Sequence, residues 1–320
     1  MGITNARHLQ HINTWKEKFQ NYKLAWIKNL FRHEPVESAI RILAAGQLLS
    51  RAAASATDSI QNDIAPDDII QNRDDAHEYV RLYFRPRTPT QYHIEGIRKP
   101  ADYYMGRHGG FLVMMVFNGA SVLTLPQARF STANMQSPYS VILDGDDGFD
   151  QLDFAGIYHD EAYPSDDQRK KRCAEVLLSE PLSIRPHLSA LVVRTDADMA
   201  TLKYLLSREN LDDLIPLVRK SDGSGIFFNF YTAIKYVDPA PGRYNFELAP
   251  TKSGIEVDAE VYAYNDSSGE KFRMFKGSLK PITKYYTTHK LPAGEYRLLF
   301  KLEGCYAHES KVFLPQLADQ

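Results

Sequence analysis

The sequence predicts an α+β domain followed by an all-β domain, and three observations carry that expectation. Apolar residues recur at helical spacing over residues 36–50, VESAIRILAAGQLLS, and again over residues 196–213. Between them lie apolar runs of strand length, GGFLVMMVF at 109–117 and CAEVLL at 173–178, bounded as buried strands are. From Ile226 onward the signal is all β, with IFFNFYTAIKYV, GRYNFELAP, GIEVDAEVYAY, EKFRMFKGSL, EYRLLFKLEG and SKVFLP at the regular spacing of an immunoglobulin-like sandwich. The turn-like KSDGSG at 220–225 marks a boundary. The expected division is therefore an N-terminal helical extension (1–27), an α+β domain (28–219) and an all-β accessory domain (220–320).

In chain order, Trp15, Phe19, Tyr22, Trp26 and Phe31 are spaced as one helical stripe, a packing face. His33 stands just before the helix of residues 36–50, which Gly46 ends in a turn. Residues 52–75, rich in Ala and Ser and then in Asp and Asn, read as a loop with a short helical piece. EYVRLYFRPRTPTQY at 78–92 opens as a strand and breaks at Pro86 and Pro89. SVLTL at 121–125 reads as a further short strand, followed by the element ARFSTAN. The aspartates 144, 146, 147 and 150 resemble a calcium loop but lack the sixth-place glycine and the twelfth-place glutamate, so no metal is expected. Thr195 or Asp196 is the N-cap of the last helix, and the echo between PAPGRYNFEL and LPAGEYRLLF resembles the tyrosine corner of sandwich domains.

Composition narrows the function classes. Across 320 residues, 43% apolar and 24% charged content is that of a globular chain with a core, and a net charge of −2 gives no global field for nucleic acid or membrane. No stretch approaches the roughly 18 apolar residues of a membrane span. The two cysteines, Cys173 and Cys305, lack metal-ligand spacing, and a reducing, cytoplasmic setting is the expectation. Phosphate-cradling glycine loops and nucleophile elbows are missing as well.

One carboxylate stands out. Glu175 follows the basic run Arg169–Lys170–Lys171–Arg172 and lies inside CAEVLL, where an uncompensated charge is too costly to bury. Either it pairs with nearby arginines or turns to water at a sheet edge, or it is held there for chemistry.

The ordered set LFRHEPVESAIRILAAGQLLSR, EYVRLYFRPRTPTQY, ARFSTANM, FDQLDFAGIY and RKKRCAEVLLSEPL resembles the DarT family of nucleic-acid ADP-ribosyltransferase toxins, over roughly residues 28–207. The resemblance implies an ADP-ribosyltransferase fold, a split antiparallel sheet that pinches NAD, with NAD as co-substrate and Glu175 as the catalytic residue. It implies NAD contacts from His33, from Arg73 or its rival Arg51, and from Tyr83 and Phe84 of the strand. Asn134 stands where relatives often carry a histidine, which bears on the acceptor. Arg87, Lys170 and Lys171, with Arg81, Arg85, Arg98, Lys99, Arg169 and Arg172, would form a cationic track for a single strand. The family default acceptor is single-stranded DNA. RNA is the alternative, as in an mRNA-modifying toxin of phage defence, because the extra β-domain and Asn134 both suggest altered recognition. An antitoxin protein is the implied partner. A catalytically idle interaction protein of the same fold is the competing class; a carboxylate retained at position 175 favours the enzyme.

Overall fold

The computed structural model describes residues 1–19, 21–56, 74–105, 108–135, 137–222, 225–240, 243–250, 254–281, 284–288 and 291–314. The chain forms two compact units that interleave in sequence: 1–93, 113–192 and 221–228 make the first, and 94–112, 193–220 and 229–320 the second.

In the first unit the strands are β1 (Asn29–Pro35), β2 (Gln47–Leu48), β3 (Val80–Tyr83), β4 (Leu112–Asn118), β5 (Ala128–Ser131), β6 (Ile142–Leu143), β7 (Glu175–Leu178), β8 (Leu182–Ser183) and β9 (Leu188–Val193). Seven of them share a sheet in the order β9-β4-β1-β3-β7-β5-β6, while β2 pairs with β8. The central strands are short runs of mainly apolar residues of the kind two-sided burial favours: β4 is buried from Leu112 to Phe117 and β7 throughout. Between β1 and β2 runs the helix Val36–Ala45, which buries Val36, Ala39, Ile40 and Leu43 on one face and stops at Gly46, whose φ of 72° suits a residue without Cβ.

The N-terminal aromatic stripe is divided among elements instead of lying on one helix. Trp15 belongs to the helix Asn5–Lys16, Trp26 ends the short helix Lys23–Trp26, and Phe31 is in β1. The first helix packs through His11, whose ring lies 4.3 Å from that of Phe154 and whose Nε2 is 3.0 Å from the Tyr158 hydroxyl. Asp146 receives the Thr4 backbone N–H at 2.7 Å and the Thr4 hydroxyl at 2.8 Å. The acidic loop is thus the opening of the helix Gly145–Asp150 and an anchor for the N-terminal helix. No cluster of three or more potential metal ligands occurs among the described residues. SVLTL is likewise not a strand: the Asn118 side chain accepts the Ser121 N–H at 3.0 Å and starts the helix Gly119–Leu123, so the cap overrides the β-branched composition.

The second unit holds β10 (Val218–Lys220), β11 (Ile234–Ala240), β12 (Arg243–Leu248), β13 (Val257–Asn265), β14 (Lys271–Leu279), β15 (Lys284–Thr288), β16 (Gly294–Leu302) and β17 (Cys305–Leu314). Two antiparallel sheets, β11-β12-β15 and β14-β13-β16-β17, contribute their inward residues to one core that includes Tyr244, Phe246, Val261, Leu298 and Phe300. Along β13 every second residue from Val257 to Ala263 is buried, the period of a half-buried strand. Tyr296 donates its hydroxyl to the Pro292 carbonyl at 3.1 Å, which is the bond of a tyrosine corner. The helix Asp196–Arg208, capped by the Thr195 hydroxyl on the Asp198 N–H, flanks β17 through Thr201 and His308, 2.8 Å apart. Both cysteines are free, and no helix among the described residues is long and apolar enough to cross a membrane.

Burial sets an acid limit on the first unit. Burial lowers His11 to about 3, with Arg7 and His8 adding repulsion, and lowers His33 to about 3 as well. In the unfolded chain each takes a proton near pH 6.5, so stability present at neutral pH is lost as pH falls from there toward 3. Replacing His11 by Phe should reduce the stability lost between pH 7 and pH 5 by ~2 kcal/mol, read by denaturant titration at both pH values.

Candidate active site

Strand register gathers the site. Tyr83 on β3 lies directly opposite Glu175 on β7, and Phe31 on β1 lies directly opposite Tyr83. Because side chains alternate, His33, Arg81, Tyr83 and Glu175 all project from one face, and Leu82, Phe130 and Val176 from the other. On the first face His33 stacks on Tyr83, rings 5.6 Å apart and inclined by only 5°. Both are buried, His33 as the neutral imidazole, and burial together with the negative charge of Glu175 raises the Tyr83 phenol.

Glu175 has no exposed surface. Its Oε2 accepts the Met135 N–H at 2.9 Å, its own N–H donates to Ser131 Oγ at 3.0 Å, and Arg81 Nη1 stands 3.8 Å from Oε1. The Ser131 hydroxyl donates on to the Ala133 carbonyl at 2.7 Å, and the Ser140 hydroxyl reaches the same carbonyl at 3.1 Å, which fixes the turn that presents Met135. The Met135 side chain is itself anchored in a small core with Leu177 and Ala76. Burial raises the Glu175 acid above the ordinary carboxylate range, opposed by the Arg81 charge, the Met135 N–H and the Arg32 charge. Arg32 is held in place by Glu34 at 2.6 Å and by the Arg81 carbonyl at 3.1 Å. Oε1 accepts no hydrogen bond among the described residues. A buried carboxylate with one oxygen fixed and the other unsatisfied has capacity left for a ligand.

Glu175, Tyr83 and His33 are therefore brought together, whereas Phe84 is not part of the group. It is 2% exposed and packs edge-on against Phe154 at 5.5 Å, with Phe130 and Phe149 each 6.2 Å away. Consecutive strand residues point to opposite faces, so a site that uses Tyr83 excludes Phe84, and the expected stacking surface there is core. Arg51 opens the short helix Arg51–Ala56, and Arg73 lies outside the described residues. Asn134 is half-buried beside Met135, and its backbone carbonyl accepts the Ser137 N–H at 2.8 Å.

The cationic track is largely consumed inside the protein. Arg85 is buried against the Trp26 ring at 4.5 Å and pairs with Asp160 at 2.7 Å, and Arg87 pairs with the same carboxylate at 3.1 Å. Burial would raise Asp160, but the Tyr22 hydroxyl and the two arginines hold it low. Lys171 pairs with Asp167 at 2.6 Å and Asp153 at 3.0 Å, Arg169 pairs with Asp166, and Arg172 is buried and donates to the Glu161 carbonyl at 2.8 Å. Arg98 and Lys99 belong to the second unit. Lys170 differs, with Nζ 5.3 Å from the ring of Tyr139, which is 78% exposed in the segment that follows Met135. Sequence reading missed Ser131 and Met135 as partners of Glu175, and counted Arg81 only among the track; the two-residue offset of Arg81 from Tyr83 was the available signal.

A family model described as ssDNA thymidine ADP-ribosyltransferase, DarT, matches residues 31–222. No curated protein sequence matches the chain. Among solved structures it is similar to Thermus sp. 2.9 DarT in complex with ADP-ribosylated ssDNA, at 18% identity over 63% of this chain and 96% of that one, with a TM-score of 0.51. The same organism's DarT in complex with NAD+ matches at 17% identity over 63% of this chain and 98% of that one, with a TM-score of 0.49. Thermosipho africanus DarTG in complex with ADP-ribose matches at 17% identity over 66% of this chain and 53% of that one, with a TM-score of 0.46. The first of these likenesses shows an ADP-ribosyltransferase fold, here joined to additional antiparallel β-sheets in the C-terminal region.

The assignment of the two faces is testable through stability. Phe84→Ala should destabilise the first unit by about 3–5 kcal/mol, as for a large core aromatic. A loss under 1 kcal/mol in a denaturant titration would show that Phe84 is not core.

Proposed function

This chain belongs to the DarT family, and from that premise we propose that it transfers ADP-ribose from NAD to a thymidine base of single-stranded DNA, with Glu175 as the catalytic residue. The observation that carries the reading is the Glu175 carboxylate, wholly buried at the start of β7, clamped at Oε2 and unsatisfied at Oε1, on the face where His33 stacks on Tyr83. Breaking the bond from ribose to nicotinamide develops positive charge on the ribose ring, and a carboxylate beside that carbon stabilises it. The new bond forms from that carbon to the base, nicotinamide leaves with the bonding electrons, and the base gives up a proton. A desolvated carboxylate with a raised pKa is suited to accept it.

Within this reading His33 and Tyr83 orient the cofactor, and neutral His33 adds no charge to repel the one forming on the ribose. The Arg81 charge opposes the upward push that burial gives the Glu175 acid. Arg51 and Arg73 are the candidates for the NAD phosphates. On the acceptor side we assign Asn134 and Lys170, since Arg87 and Lys171 are committed to Asp160 and to Asp153 and Asp167. An antitoxin that removes ADP-ribose or blocks the site completes the reading, as in toxin–antitoxin pairs of this family.

Incubation with labelled NAD and, separately, single-stranded DNA, duplex DNA, RNA and protein extract tests the reaction. Label is expected on single-stranded DNA and not on duplex, because the pairing edge must be free. Label on RNA or protein alone would overturn the acceptor. Glu175→Gln should fold and lose at least a hundredfold in rate, the scale of removing one group that stabilises transition-state charge. Arg81→Gln should move the acid limb of the pH–rate profile to higher pH, because the charge that opposes the upward push of burial is gone. A limb that stays in place would show that Arg81 does not tune Glu175.

A further inference from the structure

The second unit carries an array that transfer at Glu175 does not use. β13 turns Val257, Ala259, Val261 and Ala263 inward, so Glu260, Tyr262 and Tyr264 face outward. Register sets Tyr262 opposite Arg273, and Tyr264 opposite Lys271 on one side and Arg297 on the other. The cations lie over the rings: Lys271 Nζ is 4.1 Å from the Tyr262 centroid and 5.6 Å from that of Tyr264, and Arg297 Cζ is 4.1 Å from Tyr264. Cations and aromatic rings therefore alternate across three neighbouring strands.

Two nearby acids are already engaged. Glu260 binds Lys276 at 2.9 Å and accepts the Tyr262 hydroxyl at 2.8 Å, and Glu309 takes Arg297 at 2.9 Å and the Tyr306 hydroxyl at 2.7 Å. Lys271 and Arg273, and Lys301 across from Glu260, make no ion pair with a described residue. Uncommitted positive charge beside half-exposed rings fits a ligand that is anionic along its length and carries flat faces. Tyr262 and Tyr264 are about 7 Å apart along the strand, the advance of an extended single strand per nucleotide. Each ring would offer a base a stacking surface as the cation over it turns to a phosphate.

We propose that the outward face of β13, β14 and β16, built on Tyr262, Tyr264, Lys271, Arg273 and Lys301, is a second binding site for single-stranded nucleic acid. A double helix does not suit it, since paired bases keep their faces stacked on each other.

The test uses the full chain carrying Glu175→Gln, so that the probe is not modified, and labelled oligothymidylate or oligouridylate of about 20 nucleotides, read by fluorescence anisotropy. Tyr264→Ala should weaken binding about tenfold and Tyr264→Phe should not. The pair Lys271→Gln and Arg273→Gln should weaken binding and reduce the slope of log affinity against log salt by about 1.4, two phosphate contacts on a single strand. Loss for both oligonucleotides indicates recognition through backbone and stacking; loss for one alone assigns the site to DNA or to RNA. Heparin, which is anionic without bases, should bind Tyr264→Ala as it binds the parent. Unchanged oligonucleotide affinity in the two sets of variants would overturn the proposal, as would duplex binding equal to that of single strands. So would heparin and oligonucleotide losing affinity together in Tyr264→Ala, or a loss of thermal stability in Tyr264→Ala with no loss of binding, which would make the array cross-strand packing only. Binding is read here without transfer, so the result stands whatever Glu175 does.

Discussion

A buried carboxylate at the start of β7 is the constraint on which the first unit turns. Burying a carboxylate without partners is prohibitive, and the fold answers with a backbone N–H from Met135, a guanidinium from Arg81 and a more distant one from Arg32. Each helper is held by something else: Met135 by the Leu177 core, the turn before it by Ser131 and Ser140, and Arg32 by Glu34. The compensation is incomplete, and Oε1 is the remainder. A polar network satisfied everywhere but at one atom is costly in a protein whose only task is to be stable, and is the arrangement a reacting partner would complete.

Some of this was legible in the letters. Glu175 was visible as an acid inside an apolar run, and the helix end at Gly46, the Thr195 cap, six of the seven strands from β11 to β17 and the tyrosine corner at Tyr296 were carried by local chemistry that the sequence states directly, whereas β15 was not read. What stayed hidden depends on pairing. Tyr83 and Phe84 look alike in a sequence, yet register turns one to Glu175 and the other to the Phe130–Phe149–Phe154 core. The Met135 donor could not be read at all, since a backbone N–H has no letter of its own.

Charge misled for a related reason. The runs around Arg85 and Arg169 count as basic in a sequence, but folding sets Asp160, Asp166, Asp167 and Asp153 against them. A near-neutral total can conceal either a segregated field or a local cancellation, and the first unit chose cancellation. Aspartates 144–150, which resembled a cation loop, similarly serve to start a helix and to receive Thr4 and Arg7.

The direct pairing of Tyr83 with Glu175 restricts how this chain can change over generations. A slip of one residue between β3 and β7 would turn Glu175 toward Phe84, Phe130 and Phe149 and bring Val176 to the site. Point substitutions can accumulate around that register one at a time, but a single-codon insertion within either strand inverts it at once. Length variation in descendants of this sequence is thereby confined to the segments that join these strands, and the two strands drift in identity without drifting in length.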